Sequence, residues 1–191
     1  MVTTPIKEKH DIEVLKTYFL QSNEYRNYAL FVIGINTALR ISDILNLKWK
    51  DVYDFEQKKY QKHLYITEQK TNKQTCIAIN VSCIAAFTLL KKENAPVFAE
   101  EYIFFSRNNR YKSLSRNRAY NIIKNAALAN HLDGNISCHS LRKTFGYHAW
   151  KCGTPPALIM NIYNHSNIEI TKRYLSIDQD DKDELFNSIN L

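Results

Sequence analysis

Long apolar runs are missing from this 191-residue chain, and no stretch approaches the roughly twenty residues that a membrane-spanning helix needs. The N-terminus, MVTTPIKEKHDIEVL, lacks both an apolar signal core and an Arg-rich amphipathic presequence, so the expected location is the cytoplasm. The four cysteines, Cys76, Cys83, Cys138 and Cys152, form no CxxC pair and no zinc-type spacing with histidine. They are expected to be reduced thiols, with neither a disulfide framework nor a metal. Internal repeats, low-complexity tracts and domain-sized linkers are also lacking, so residues 1–191 are expected to form a single domain.

Apolar side chains are plentiful: 45% of the residues are hydrophobic and 12% aromatic, enough for a real core in a chain this long. Lysine and arginine number 26 against 19 acidic residues, and the net charge of +7 favours a polyanionic partner such as nucleic acid. Charge alone is a weak pointer, since many basic proteins bind nothing acidic.

Periodicity places helices around Ile12–Phe19 and Tyr25–Leu39, and a short one capped by Ser42 before Trp49. Three β-rich runs follow, Val52–Phe55, His63–Thr67 and Thr75–Ile79, expected to form one small three-stranded antiparallel sheet with a tight turn at Lys70–Gln74. Helical patterns dominate afterwards: 81–93, 115–131 capped by Ser115, 139–152, 154–163 capped by Thr154 ahead of Pro155 and Pro156, 168–175 and 178–189. The fold class is α+β, a mainly helical domain with a small sheet inserted early.

Four local patterns can carry chemistry. Arg40, in Thr37-Ala38-Leu39-Arg40-Ile41-Ser42-Asp43, falls where a buried helix breaks, as either a helix-end cap or an anion ligand. Lys70 lies in the turn Gln69-Lys70-Thr71-Asn72-Lys73, either solvated or aimed at a site. His139 and Arg142, in His139-Ser140-Leu141-Arg142, share a helix face as a surface pair or as site residues. His165 precedes Tyr174 by nine residues, and a tyrosine beside a leucine is most often core. Tyr163, beside the same histidine, closes an apolar helix and is assigned to the core.

In this order, spaced 30, 69, 3, 23 and 9 residues apart, the patterns together resemble the tyrosine recombinases or phage integrases, from about Lys9 to Asp180. Residues 36–52, NTALRISDILNLKWKDV, are similar to the family's first arginine box. Arg40 there corresponds to the first catalytic arginine and Asp43 to its supporting acid. Lys70 is similar to the family's β-hairpin lysine, His139 and Arg142 to its HxxR box, His165 to its third-box histidine and Tyr174 to its nucleophile. The sequence departs from the usual pattern at two glycine positions, Ala38 and Asn164. Asn164 is expected to keep a left-handed turn, and Ala38 simply to suit a helix end.

The resemblance implies the catalytic fold of a site-specific recombinase that cuts and rejoins double-stranded DNA through a 3′-phosphotyrosyl intermediate without cofactor or metal. Tyr174 would attack, Arg40, Arg142 and His165 would hold the phosphate, His139 would take or relay a proton, and Lys70 would protonate the leaving oxygen. DNA contacts are expected from Arg107, Arg110, Lys112, Arg116 and Arg118, for which a solvated polar face is the plain alternative. The tail 178–191, amphipathic through Leu185, Phe186 and Ile189, would dock on a neighbouring protomer of a homo-oligomer, a tetramer on DNA, or pack on its own domain. The helical domain that usually precedes this box is expected to be absent, either from a natural single-domain recombinase or from the catalytic part of a larger integrase. A non-catalytic DNA-binding regulator on the same fold is the alternative; type IB topoisomerases share the chemistry, but their boxes are less similar.

Overall fold

A computed structural model describes residues 2–67, 74–177, 182 and 186–189. Two helices of 13 residues each open the chain, α1 (Lys9–Gln21) and α2 (Tyr25–Thr37). The second is the central one, because Ala29 to Ile33 are all buried and apolar, and a helix apolar on every side must be covered on every side. It is packed by α1, by α5 (Val81–Glu93) and by α7 (Cys138–Lys151). The approach of α7 depends on Gly34: a Cβ there would stand 2.5 Å from Leu141 Cδ1.

Between α2 and α5 run two short helices, α3 (Ile41–Leu45) and α4 (Trp49–Val52), and two ribbons. The expected single three-stranded sheet is not what forms. Strand β1 (Tyr53–Asp54) pairs with β2 (Lys59–Tyr60), and β3 (His63–Thr67) pairs separately with β4 (Gln74–Ala78), each antiparallel. The reason is local: the Asp54 carboxylate accepts the backbone N–H groups of Glu56 and Gln57, and Lys58 takes a left-handed conformation. The first run therefore turns back on itself before it reaches the next one. A third ribbon, β5 (Phe105–Ser106) with β6 (Asn109–Ser113), was not expected from the sequence. Its residues are mostly polar, so the alternating signal of a half-buried strand is weak.

The remaining helices are α6 (Arg116–Ala129), α8 (Pro156–Tyr163) and α9 (Ile168–Leu175). Ser115 caps α6 as expected, but Arg40 rather than Ser42 caps α3, and Pro155 rather than Thr154 precedes α8. In both misplaced cases the extended residue sits elsewhere than the best side-chain acceptor. Lys182 and 186–189 are the described part of the tail, with Phe186 and Ile189 exposed; Leu185 lies outside the described residues.

Two cores result. The large one joins α1 to α7 through residues such as Phe19, Phe31, Trp49, Phe87 and Ile123. A small one, Ala38, Ile159, Tyr163 and Leu175 with Phe145, Trp150 and Tyr174 against it, seats α8 and α9 on α7 and on the end of α2. The candidate site lies at that second core. No described helix is long and apolar enough to cross a membrane.

Candidate active site

The geometry starts from Arg142, which α7 carries on a buried face and which is only 5% exposed. A buried cation requires acceptors or an aromatic face. Nη1 donates to the Ala38 carbonyl, and the guanidinium lies over the Tyr163 ring, 4.7 Å from its centroid. The Ala38 carbonyl is available because α2 ends there in a left-handed residue, φ 55°. Ala38 thus does more than suit a helix end: it holds a left-handed conformation that glycine adopts most easily, at a cost of about 1 kcal/mol. Arg40 follows in extended backbone as the residue capping α3, and Asp43 is buried in that helix's first turn.

Tyr163 is buried, and its hydroxyl donates to the Arg142 carbonyl at 2.5 Å. Burial pushes its pKa above the ordinary tyrosine value, with Arg142 acting the other way. Asn164 then ends α8 at φ 57°, and the chain turns so that His165 faces back. Its Nδ1 lies 3.1 Å from Thr171 Oγ1. Burial, then Arg142 and Arg40, lower the His165 pKa below the ordinary value.

Helix α9 begins at Asn167, whose side chain accepts the Ile170 N–H. Thr171 and Leu175 are its buried positions, and Tyr174, three residues after Thr171, shares their face. The half-buried Tyr174 ring stands 5.2 Å from His165 and 5.4 Å from Tyr163, centroid to centroid. Burial raises its pKa, while Arg142, through charge and a side-chain hydrogen bond, and Arg40, through charge, pull it down. Two arginines, an imidazole and a phenol therefore meet at one place.

The other expected residues are distributed differently. His139, one turn before Arg142, is exposed and lines a recess of about 590 Å³ with Arg116, Asn117, Tyr120 and Lys124. Lys70 lies outside the described residues. Arg107, Lys112, Arg116 and Arg118 are exposed. Arg110 is engaged within the fold: its Nη1 donates to the Pro96 carbonyl at 2.7 Å and lies 3.5 Å from the buried Glu101 carboxylate. Two site residues escaped the sequence reading. Thr171 orients His165, and its signal was its place one helical turn before Tyr174. Lys143, buried with its ammonium over the Tyr174 ring, has no sequence signal beyond adjacency to Arg142. Among the described residues no three His, Cys, Asp or Glu side chains gather as a metal site.

The chain matches the model of the phage integrase family over residues 8–180. It is 43% identical over 182 residues to the probable integrase/recombinase YoeC of Bacillus subtilis, covering 94% of this chain and 92% of that protein. The chain belongs to the phage integrase family, the tyrosine recombinases. The crystal structure of XerA recombinase superposes with a TM-score of 0.75 at 18% identity over 98% of this chain. XerH site-specific recombinase bound to palindromic difH substrate, in a post-cleavage complex, does so with a TM-score of 0.72 at 18% identity over 96%. Similarity at that level shows the shared fold, and this chain spans 66% and 52% of those two.

Proposed function

We propose that this chain is a site-specific recombinase that cuts and reseals double-stranded DNA through Tyr174. The observation that carries the reading is the convergence of Tyr174 with Arg142, Arg40 and His165. A phosphodiester repels nucleophiles by its charge, and in-line displacement spreads more charge over the non-bridging oxygens. Fixed guanidinium groups answer that need, staying protonated at any working pH and offering paired donors.

In the proposed reaction the Tyr174 hydroxyl attacks phosphorus, and the P–O bond to the 5′ oxygen breaks. The tyrosine proton leaves as the new bond forms, with His139 as the candidate to take or relay it. Lys70 supplies a proton to the departing 5′ oxygen. The 3′-phosphotyrosyl linkage conserves the bond energy, so a 5′ hydroxyl can reverse the step. The Thr171 hydroxyl donates to the Asn167 carbonyl at 3.4 Å and its oxygen lies 3.1 Å from His165 Nδ1, where it can accept that nitrogen's hydrogen. With a phosphate beside it the ring takes up a second proton, and Nε2–H donates to a phosphate oxygen.

Exposed Arg107, Lys112, Arg116 and Arg118 supply phosphate contacts, and the recess shared by His139 and Arg116 joins that surface to α7. XerH, a recombinase of this fold bound to its difH substrate, supports DNA as the partner; the assembly this reading calls for is a homo-oligomer on that DNA, a tetramer, with the tail 178–191 as the candidate contact to a neighbour. The test is incubation with a nicked suicide DNA carrying the recombination site. A covalent adduct that Tyr174→Phe abolishes is the expected result; a gel shift with no adduct would support the regulator instead.

A further inference from the structure

Lysine is among the residues least often fully buried, yet Lys143 is 3% exposed. Its Nζ donates to the Thr3 carbonyl at 2.5 Å and stands over the face of Tyr174, 5.1 Å from the ring centroid. Burial lowers its pKa, and no acidic group among the described residues pulls it back. What holds this cation is backbone and an aromatic face, and the backbone belongs to the first residues of the chain. That segment is fastened along α7 and the loop before it: the Thr4 N–H donates to the Asn135 carbonyl, the Ile6 N–H to Thr144 Oγ1 at 2.8 Å, and the Ile6 carbonyl lies 3.1 Å from His148 Nε2.

We propose that Lys143 is a positioning residue for the nucleophile: pinned by the Thr3 carbonyl against the face of Tyr174, it fixes the ring and favours its deprotonated form. The inference rests on Tyr174 being the nucleophile. A cation over an aromatic face attracts the neutral ring modestly. As the hydroxyl loses its proton, negative charge spreads into the ring and the attraction grows, so the interaction is stronger in the transition state than before it. Residues 3–6 thereby become part of the support of the site, and a change in their placement is felt at Tyr174 through one ammonium group.

The test compares single-turnover cleavage of the nicked suicide DNA by the unaltered chain, Lys143→Met, Lys143→Arg, a chain lacking residues 2–4, and Tyr174→Phe. Lys143→Met is expected to cleave about tenfold more slowly, with DNA affinity within about twofold. Its rate should reach the plateau at higher pH, and Lys143→Arg should recover most of both changes. Arg142, Arg40, His165 and Tyr163, the other groups facing Tyr174, are the same in these variants. The chain lacking residues 2–4 should show the same slowing and the same displaced profile, and it decides the matter if Lys143→Met does not fold. Cleavage by either altered chain at the full rate with an unmoved profile would overturn the proposal. So would a loss of rate matched by equal losses of DNA affinity and melting temperature and not recovered by arginine. An adduct persisting in Tyr174→Phe would instead overturn the assignment of the nucleophile itself.

Discussion

Two histidines make the stability of this protein depend on pH in a direction that their surroundings fix. Burial lowers the pKa of His165, where Arg142 and Arg40 act in the same sense, and of His148, whose Nε2 contacts the Ile6 carbonyl. In each case the unfolded chain, with an ordinary value near 6.5, takes up a proton before the folded chain does. Folding stability should therefore be insensitive to these groups above about pH 6.5 and fall as the pH drops below it. Thermal melting across pH 5 to 8 checks this, and His148→Gln should flatten the acid limb. In the proposed DNA complex a phosphate beside His165 would favour the imidazolium and oppose this lowering.

Helices α8 and α9, with His165 in the turn between them and Tyr174 on the second, rest on a core of only a few side chains, and Gly146 of α7 lets them come close. A Cβ at Gly146 would stand 2.5 Å from Leu175 Cδ2 and 2.6 Å from the Tyr163 hydroxyl. Gly146→Ala should push α9 off α7, cost roughly 1 to 3 kcal/mol in chemical unfolding, and slow DNA cleavage by more than it weakens DNA binding. Equal stability and equal cleavage would show that α9 is not seated there. Most helices were legible in the sequence because their apolar positions recur at helical spacing, and α9 begins and ends where the pattern places it. Helix α4 was not, since Val52, expected to open a strand, closes that short helix. The ribbons were not, because whether β1 turns back on β2 or continues to β3 depends on Asp54 and Lys58, which a β-former count does not weigh. At the candidate site, the order of Arg40, Arg142, His165 and Tyr174 was legible, while the cation over the Tyr174 ring was not. Burial of Lys143 depends on where residues 3–6 run, a long-range contact without local signature.

At the scale of the whole molecule, the net charge of +7 is divided between side chains held by the fold and side chains open to a ligand. Arg110 is of the first kind, through Glu101 and the Pro96 carbonyl, and Arg116 is of the second. Arg116→Ala should lower the slope of log affinity against log salt by about 1, leaving melting unchanged. Arg110→Ala should instead destabilise the fold by about 1 kcal/mol, since Glu101 loses its cation while buried. Titrations of duplex DNA at several salt concentrations, paired with melts, separate the two.

The central claim is that Tyr174 bonds to DNA. Trypsin cleaves after Arg173 and Lys182, so digestion of the covalent complex followed by mass spectrometry isolates the peptide from Tyr174 to Lys182. The account predicts that this peptide carries the nucleotide remnant through Tyr174. A remnant on Tyr163, or no nucleotide-bearing peptide from a complex trapped on its cognate site, would contradict it.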